Sequence, residues 1–338
     1  MASVKTAEDS FNSGLTVNRS NGYITKVTWR LNLKYFIKIL STLFFITQVL
    51  VATATSIGVL QYNVKGDVRY SRNSGIWSYP GTPANYPLQT KQINLIANQL
   101  LSPSNSVDFI ALEQSTIDTT SGAKPNISDL LRNRNITNWG TVKNLNHITT
   151  NDFDEAQIGY SKVKWTLING TTYAGYWNDT SSEDVRPYVM AEFQNNVDSN
   201  LKVIFVALHL PHCDINAPTC ANNWSGLADF IHSLEAIEPD VASAKIILAG
   251  DFNETAIVPS FFTEFANALN TGTLTNSPDV NSCCSNDNYT YPLDHVATNI
   301  PNATFINTMI INDPTVPYPI GLNNDDEEHK AVYTKLVF

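Results

Sequence analysis

Polar residues that can do acid, base or metal chemistry stand at the ends of several apolar runs in this sequence. In chain order they are Asn63 after IGVLQY, Glu113 after FIAL, His209 after VAL, Asp251 and Asn253 in LAGDFNE, and His329 beside Glu328 in EEHKAV. A packed sheet exposes reactive side chains where its strands end. Carboxylate and amide oxygens with two imidazoles would form a site for an oxygen-preferring cation, with two candidates for general acid/base catalysis.

Each of these residues taken alone also fits a purely structural role, as a solvated strand end or a hydrogen-bonded histidine. Two nearby histidines fit the structural role better. His212 follows Pro211 in an expected loop, and His295 is adjacent to Asp294 in an alternating strand, where it should point to the opposite face. The combination and order of the strand-end residues are what favour a site.

The elements that must position these residues are short runs rich in β-branched and aromatic residues. The predicted strands are Ile57 to Tyr62, Val107 to Leu112, Gln157 to Tyr160, Tyr188 to Phe193, Lys202 to Leu208, Lys245 to Leu248, Leu293 to Ala297 and Ala331 to Val337. Helical spacing of apolar residues predicts helices over Leu88 to Leu101 and Trp224 to Ile237. We therefore expect an α/β fold of two packed mixed sheets flanked by helices, a four-layer α/β/β/α sandwich. No linker divides residues 56–338, which predicts one domain there.

Three motifs resemble those of the endonuclease/exonuclease/phosphatase superfamily, which includes deoxyribonuclease I, abasic-site endonucleases, sphingomyelinases and inositol polyphosphate 5-phosphatases. They are KIILA followed by GDFNE, LDHV around Asp294, and EEHKAV, which is similar to the terminal Ser-Asp-His motif of the family. The resemblance spans Ile57 to Val337 and implies a phosphoester hydrolase that depends on Mg²⁺, with Ca²⁺ or Mn²⁺ as alternatives.

The resemblance also implies a role for each residue. Metal ligation falls to Glu113 first, with Asn63 beside it. Glu328 stands where the family has a metal-binding aspartate, and its extra methylene is a departure from the pattern. The catalytic set is His209 and His329 on the two sides of the scissile phosphate, Asp251 and Asn253 positioning water and phosphate, and Glu155 and Asp294 orienting the two rings.

The middle of the chain is most similar to deoxyribonuclease I. The segment FDEAQIGYS carries Glu155, and RPYVMAEF begins with Arg186, which is similar to a phosphate-contacting arginine of that nuclease. No Trp-Cys-Asp-Arg run like that of the inositol phosphatases surrounds Asp294. The expected substrate is nucleic acid, DNA above all. The alternative is a sphingomyelinase or related phospholipid phosphodiesterase, for which residues 75–79 (GIWSY) are the candidate membrane-contacting loop. No obligate protein partner is evident.

The first 55 residues predict export of the chain. Basic residues precede the uncharged apolar run from Ile39 to Ala52, which is too short to span a bilayer and suits a signal peptide. Cleavage near Ala54 would give a secreted protein, whereas an uncleaved segment would act as a signal-anchor.

Export is consistent with eight N-x-[ST] glycosylation sequons beyond that run, although an Asn-rich chain supplies several by chance. The sequon at Asn253 should be unused, because a glycan there would block the site. The four cysteines, Cys213, Cys220, Cys283 and Cys284, predict disulfides in one of three pairings, and a zinc site is the competing interpretation. The net charge of −10 argues against non-specific adhesion to nucleic acid or anionic membranes.

Overall fold

The structure is a computed structural model that describes fifteen segments of the chain. They are residues 15–20, 23–29, 54–64, 69–71, 76–78, 94–100, 106–115, 135–143, 155–177, 186–211, 224–253, 259–270, 272–284, 288–314 and 329–338. The chain divides into two compact units, Met1–Ala54 and Thr55–Phe338. The first unit contains an antiparallel hairpin of β1 (Leu15–Ser20) and β2 (Tyr23–Trp29).

The apolar run from Ile39 to Ala52 lies outside the described residues, so its role as a signal segment stays a prediction. Among the helices that are described, none is both long enough and apolar enough to cross a bilayer.

The second unit contains fifteen described strands and three described helices. The strands are β3 (Ser56–Asn63), β4 (Arg69–Ser71), β5 (Ile76–Ser78), β6 (Phe109–Ser115), β7 (Trp139–Lys143), β8 (Glu155–Ser161), β9 (Trp165–Leu167), β10 (Tyr173–Tyr176), β11 (Pro187–Asn195), β12 (Lys202–His209), β13 (Ile246–Asp251), β14 (Thr275–Asn276), β15 (Asp294–Thr298), β16 (Thr304–Ile310) and β17 (Val332–Val337). The helices are α1 (residues 94–100), α2 (Leu227–Ile237) and α3 (Pro259–Ala268).

Two mixed sheets form the centre of this unit. The first has the strand order β16-β17-β3-β6-β8-β7, and the second has the order β10-β11-β12-β13-β15-β14, with β9 paired to β11. The pairs β3/β6 and β12/β13 are parallel, and the other pairs within the two sheets are antiparallel. The short strands β4 and β5 pair only with each other in the described part of the chain.

The inner faces of the two sheets pack on each other through alternate residues of their strands. Phe109 of the first sheet stacks on Phe205 of the second, with ring centroids 4.6 Å apart. The same layer contains Ile57, Val59, Ala111, Ala207, Ile247, Ala249 and Val296. Because successive side chains of a strand point to opposite faces, the remaining apolar residues of these strands face outward.

Helices cover the two outer faces. On the first sheet, Leu95 and Ile96 of α1 pack with Leu60 and Ile110. On the second, Phe230 and Leu234 of α2 and Phe265 of α3 share a cluster with outward-facing residues that include Met190, Val206 and Leu248. The four-layer α/β/β/α sandwich expected from the sequence is therefore confirmed.

All eight predicted strands are present, and five further strands of the two central sheets were not predicted: β7, β9, β10, β14 and β16. These strands are short or half-exposed, so they lack a continuous apolar signal. β16 at the sheet edge consists of exposed and half-buried residues and has no fully buried one. Helix α3 was also missed.

The strand β17 lies between β16 and β3 in the first sheet, and its Leu336 side chain is fully buried in the inner layer. Replacing Leu336 by Ala should lower the free energy of unfolding by about 2–5 kcal/mol, through lost burial and a residual cavity. Urea unfolding monitored by circular dichroism measures it. Lys335→Ala, at a half-buried neighbouring position of the same strand, should change stability by less than about 1 kcal/mol. Equal losses for the two variants would contradict this account of the inner layer.

Candidate functional site

The inner faces of both sheets change from apolar to polar at one end of the inter-sheet layer. In β3 the inward positions after Ile57 and Val59 are Gln61 and Asn63, and in β6 the inward position after Ala111 is Glu113. In the second sheet the inward residues that continue this layer are His209 of β12, Asp251 of β13 and Asp294 of β15. The apolar part of the same strands thus forms the base on which the polar cluster lies.

Strand pairing sets these polar residues side by side. Asn63 is paired with Glu113 in the parallel β3/β6 ladder. Asp251 is paired with His209 on one side and with Asp294 on the other. The sequence predicted strands that stop one to three residues before most of these positions, whereas in the structure the polar residues are themselves part of the ladders. Their backbones are therefore held as rigidly as the sheets.

Glycine is required at position 250 by the local backbone conformation and by the atoms that surround it. Its φ is 152°, and a Cβ at this position would overlap the carbonyl oxygen of Leu208. The same Cβ would lie 3.1 Å from Oε1 of Glu113. The glycine of the GDFNE motif therefore lets β13 approach β12 closely and leaves space beside the Glu113 carboxylate.

Asn253 follows Asp251 in a left-handed backbone conformation, with a φ of 52°, which asparagine adopts more readily than most residues. Its backbone N–H donates to Oδ1 of Asp251 at 2.8 Å, and its side-chain Nδ2 donates to the carbonyl oxygen of Leu210 at 2.6 Å. The expectation that the Asn253 sequon is unused stays a prediction.

A buried glutamine bridges two of the carboxylates. Nε2 of Gln61 donates to Oε2 of Glu113 at 2.9 Å and to Oδ1 of Asp294 at 2.6 Å. Both hydrogens of one amide group are thus used to hold together carboxylates from the two different sheets. Charge-assisted hydrogen bonds of this kind are stronger than neutral ones.

Asp251 lies among four groups that favour its ionised form. Nδ2 of Asn63 donates to its Oδ2 at 3.0 Å, and the same oxygen is 3.4 Å from Nε2 of His209 and 3.6 Å from Nε2 of His329. Burial by itself would raise the pKa of Asp251. The positive charges of His329 and His209, together with the hydrogen bonds from Asn63 and Asn253, outweigh burial and lower its pKa below the ordinary value.

The Asp294 carboxylate orients the ring of His329. Nδ1 of His329 donates to Oδ2 of Asp294 at 2.8 Å, and both side chains are buried. This contact fixes the ring orientation and directs Nε2 toward Asp251. The sequence left open which acid serves which histidine, and the structure pairs Asp294 with His329.

The donor set fits a hard divalent cation. Glu113, Asp251 and Asp294 are 0%, 1% and 1% exposed, so up to three negative charges are buried in one cluster. Uncompensated buried charges are strongly unfavourable, and Mg²⁺ prefers carboxylate and amide oxygens. One ligand atom each of Asp251, Asp294 and His329 lies within 4.8 Å of the other two, and Glu113 is joined to this group through Gln61.

Seven of the ten predicted site residues have described side chains in or beside this cluster: Asn63, Glu113, His209, Asp251, Asn253, Asp294 and His329. Glu155 is the first residue of β8, and its side chain lies outside the described part, as does all of Glu328. Arg186 directly precedes β11, whose first residues pair with the last residues of β12. Its backbone is therefore at the same end of the second sheet as His209. The structure brings the seven residues together, and the catalytic or binding roles of all ten stay predictions.

His295 lies on the opposite face of β15 from Asp294, as the alternation predicted, and contacts the ring of Phe252 edge-on at a centroid distance of 5.8 Å. His212 lies outside the described residues. The residue that sequence reasoning missed is Gln61. The available signal was its position two residues before Asn63, which places both side chains on one face of the strand.

The lowered pKa of Asp251 predicts a contribution to stability that depends on pH. Its carboxylate has a lower pKa in the folded chain than the value of about 3.9 in an unfolded chain. The stabilisation is therefore fully present above that value and is lost as the pH falls through the folded pKa. Urea unfolding between about pH 5 and pH 2.5 should show a steeper loss of stability for the natural chain than for Asp251→Asn.

The matched control is Asp279→Asn, at an exposed position. This variant should follow the natural chain at every pH. If the free energy of unfolding depends on pH equally in the natural chain and in Asp251→Asn, the ionised Asp251 carboxylate does not contribute the stability described above.

Comparison with known proteins shows that the overall fold of this chain is a known one. No protein-family model and no curated protein sequence matches the chain. Among solved structures, an endonuclease/exonuclease/phosphatase family protein from Bacteroides thetaiotaomicron is similar with a TM-score of 0.55 and 13% identity, over 85% of this chain and 99% of that chain. The human Nocturnin catalytic domain with a bound sulfate anion has a TM-score of 0.51 and 14% identity, over 84% and 95% of the two chains.

ANGEL2, described as a 2′,3′-cyclic phosphatase, is similar with a TM-score of 0.51 and 11% identity, over 85% of this chain and 96% of that chain. At these identities the similarity is one of fold. The two-sheet sandwich of this chain is the fold of the endonuclease/exonuclease/phosphatase superfamily, as its sequence motifs predicted.

Proposed function

We propose that this protein is a divalent-cation-dependent phosphoester hydrolase, and more specifically a phosphodiesterase of the deoxyribonuclease I kind that cleaves nucleic acid. The observation that carries the proposal is the approach of two imidazoles to one carboxylate oxygen, since His209 and His329 lie 3.4 Å and 3.6 Å from Oδ2 of Asp251. Two imidazoles beside buried carboxylates can supply an acid and a base at one point.

In this proposal Glu113 and Asn63 would hold Mg²⁺, with Ca²⁺ or Mn²⁺ as alternatives, and Glu328 is a further candidate ligand. A divalent cation held there would supply positive charge to offset the negative charge of the phosphate. Gln61 keeps the Glu113 carboxylate beside Asp294, so metal ligation and the Asp294–His329 pair are held in one arrangement.

His329 takes the proton from the attacking water. Its Nδ1 donates to Asp294, which leaves Nε2 as the basic nitrogen. Asp251 lies next to this nitrogen and accepts a hydrogen bond from the water, while Asn253 contacts a phosphate oxygen. His209 on the other side of Asp251 donates a proton to the leaving oxygen, with Glu155 as its orienting acid and Arg186 as a contact for the phosphate.

The choice of nucleic acid rests on the sequence resemblance of the segments around Glu155 and Arg186. The phospholipid alternative stays open, because the side chains of β5, in its candidate membrane loop, lie outside the described part. The fold also supports a wider range of phosphoesters, since ANGEL2 is described as a 2′,3′-cyclic phosphatase. We propose that the protein is secreted or lies in the secretory pathway. Either a cleaved signal peptide or an uncleaved signal-anchor would direct it there. Mass analysis of chain recovered from culture medium tests that setting.

The function is tested by incubating purified protein with plasmid DNA, RNA and sphingomyelin vesicles, each with Mg²⁺ and with EDTA. We expect hydrolysis of DNA that EDTA abolishes. Glu113→Gln removes one negative charge while it keeps the shape of the side chain, so its Mg²⁺ requirement should rise at least about tenfold. Glu235→Gln, on the exposed surface of α2, should behave as the natural chain does.

Cleavage of sphingomyelin alone would transfer the proposal to the phospholipid class. Hydrolysis of none of these substrates, with folded protein, would refute the phosphodiesterase. An unchanged Mg²⁺ requirement in Glu113→Gln would remove Glu113 from the ligand set.

The two histidines should act in one step. His209→Ala and His329→Ala should each lose roughly 10²- to 10⁴-fold in rate, and the double variant should lose less than the product of the two. The limb of the pH–rate profile near neutrality should disappear in one of them. The control is His232→Ala on α2, whose side chain is 88% exposed and which should keep the natural rate. Natural turnover and profile in His329→Ala would refute this mechanism.

A further inference from the structure

Two adjacent sulfur atoms lie beside His329. Cys283 and Cys284 are joined by a disulfide, with Cys283 fully buried and Cys284 half-buried. One nitrogen of the His329 ring and the two Sγ atoms all lie within 4.8 Å of one another. The proposed hydrolase has no use for these sulfurs, and the sequence separation between the cysteines and His329 does not reveal their proximity.

Backbone hydrogen bonds on both sides hold the sulfurs in this place. Cys283 exchanges two backbone hydrogen bonds with Tyr291, at 2.9 Å and 2.7 Å. The N–H of Lys330, the residue after His329, donates to the carbonyl oxygen of Ser282 at 2.8 Å. The N–H of Asp294 donates to Oγ of Ser282 at 3.3 Å. Because none of these contacts involves sulfur, they keep the pair beside His329 when the disulfide is opened.

We infer that, in the reduced chain, Cys283, Cys284 and His329 form a binding site for one soft divalent cation of the Zn²⁺ and Cd²⁺ class. A dithiol opens the disulfide by thiol–disulfide exchange: it gives two electrons and two protons, the S–S bond becomes two thiols, and the dithiol closes to its own disulfide. Binding of the cation then releases the two thiol protons. Two thiolates and one imidazole are ligands that such ions prefer, and they leave a fourth position for water.

The soft-cation site competes with the candidate active site for His329. The same imidazole belongs to the oxygen-donor group with Asp251 and Asp294. Mg²⁺ prefers the oxygen donors, whereas the thiolates select a softer ion. The two groups of ligands should therefore bind different cations. A ring that ligates the soft cation is withdrawn from proton transfer. This consequence, unlike the binding itself, rests on the proposed function.

The test uses the full chain carrying Cys213→Ser and Cys220→Ser, because those two cysteines lie outside the described residues and would add further thiols once the protein is reduced. The protein is reduced with a dithiol, desalted without oxygen and titrated with Cd²⁺ in excess Mg²⁺. We expect thiolate-to-cadmium charge-transfer absorbance that saturates at one Cd²⁺ per chain. The same chain left oxidised should show none, which gives a comparison that needs no further substitution.

Two further variants assign the ligands. Cys283→Ser with Cys284→Ser should lose the absorbance, and His329→Ala should weaken Cd²⁺ binding at least about tenfold, whereas His232→Ala should leave it unchanged. Absorbance that is equal in oxidised and reduced protein, or that persists without Cys283 and Cys284, would overturn the site. Unchanged affinity in His329→Ala would remove the histidine from it.

Hydrolysis measured in the same samples separates this inference from the proposed function. One equivalent of Cd²⁺ should inhibit the reduced chain and spare the oxidised one. Absorbance without hydrolysis in any state would refute the hydrolase and leave the cation site standing. Hydrolysis without absorbance would refute the cation site and leave the proposed hydrolase standing. If the absorbance appears but Cd²⁺ does not inhibit hydrolysis, cation binding does not remove His329 from proton transfer, and that consequence is refuted.

Discussion

The burial of three carboxylates in one cluster is the constraint on which the rest of the site depends. Glu113, Asp251 and Asp294 come from three strands of two sheets and are almost completely shielded from water. Like charges in a poorly polarisable interior repel and are costly unless hydrogen bonds and opposite charges surround them. The polar neighbours of the cluster provide these hydrogen bonds and opposite charges. Gln61 donates to two of the carboxylates, and Asn63, Asn253 and the two histidines serve the third.

The same strands provide both the packed layer of the domain and the residues of the candidate site. Alternate inward residues are apolar along most of each strand and become polar only at one end. The packed layer fixes the strands against one another, so the polar residues cannot move apart to relieve their repulsion. Under the proposed function, such enforced proximity would leave little reorganisation to be done when a cation and a phosphate bind.

His329 belongs to two groups of potential ligands with different chemical preferences. One contains the oxygen donors Asp251 and Asp294, and the other contains the sulfurs of Cys283 and Cys284. Its position depends on the short segment that enters β17, whose backbone is tied to Ser282. In the inferred soft-cation site, this single ring would link the oxygen donors to the redox state of the cysteine pair.

Much of this protein can be predicted from its sequence, because strand and helix periodicity and the GDFNE, LDHV and EEHKAV motifs are local in the chain. They predict the sandwich, its eight main strands and a set of candidate site residues, most of which the structure brings together. Sequence does not reveal the edge strand β16, whose side chains are half-exposed, or the role of Gln61, which depends on Glu113 and Asp294 arriving from other strands. The pairing of Asp294 with His329 and the approach of Cys283 and Cys284 to that ring were likewise decided only by the tertiary structure. Each is a contact between residues far apart in the chain, and it exists only once strand register and loop hydrogen bonds have brought them together.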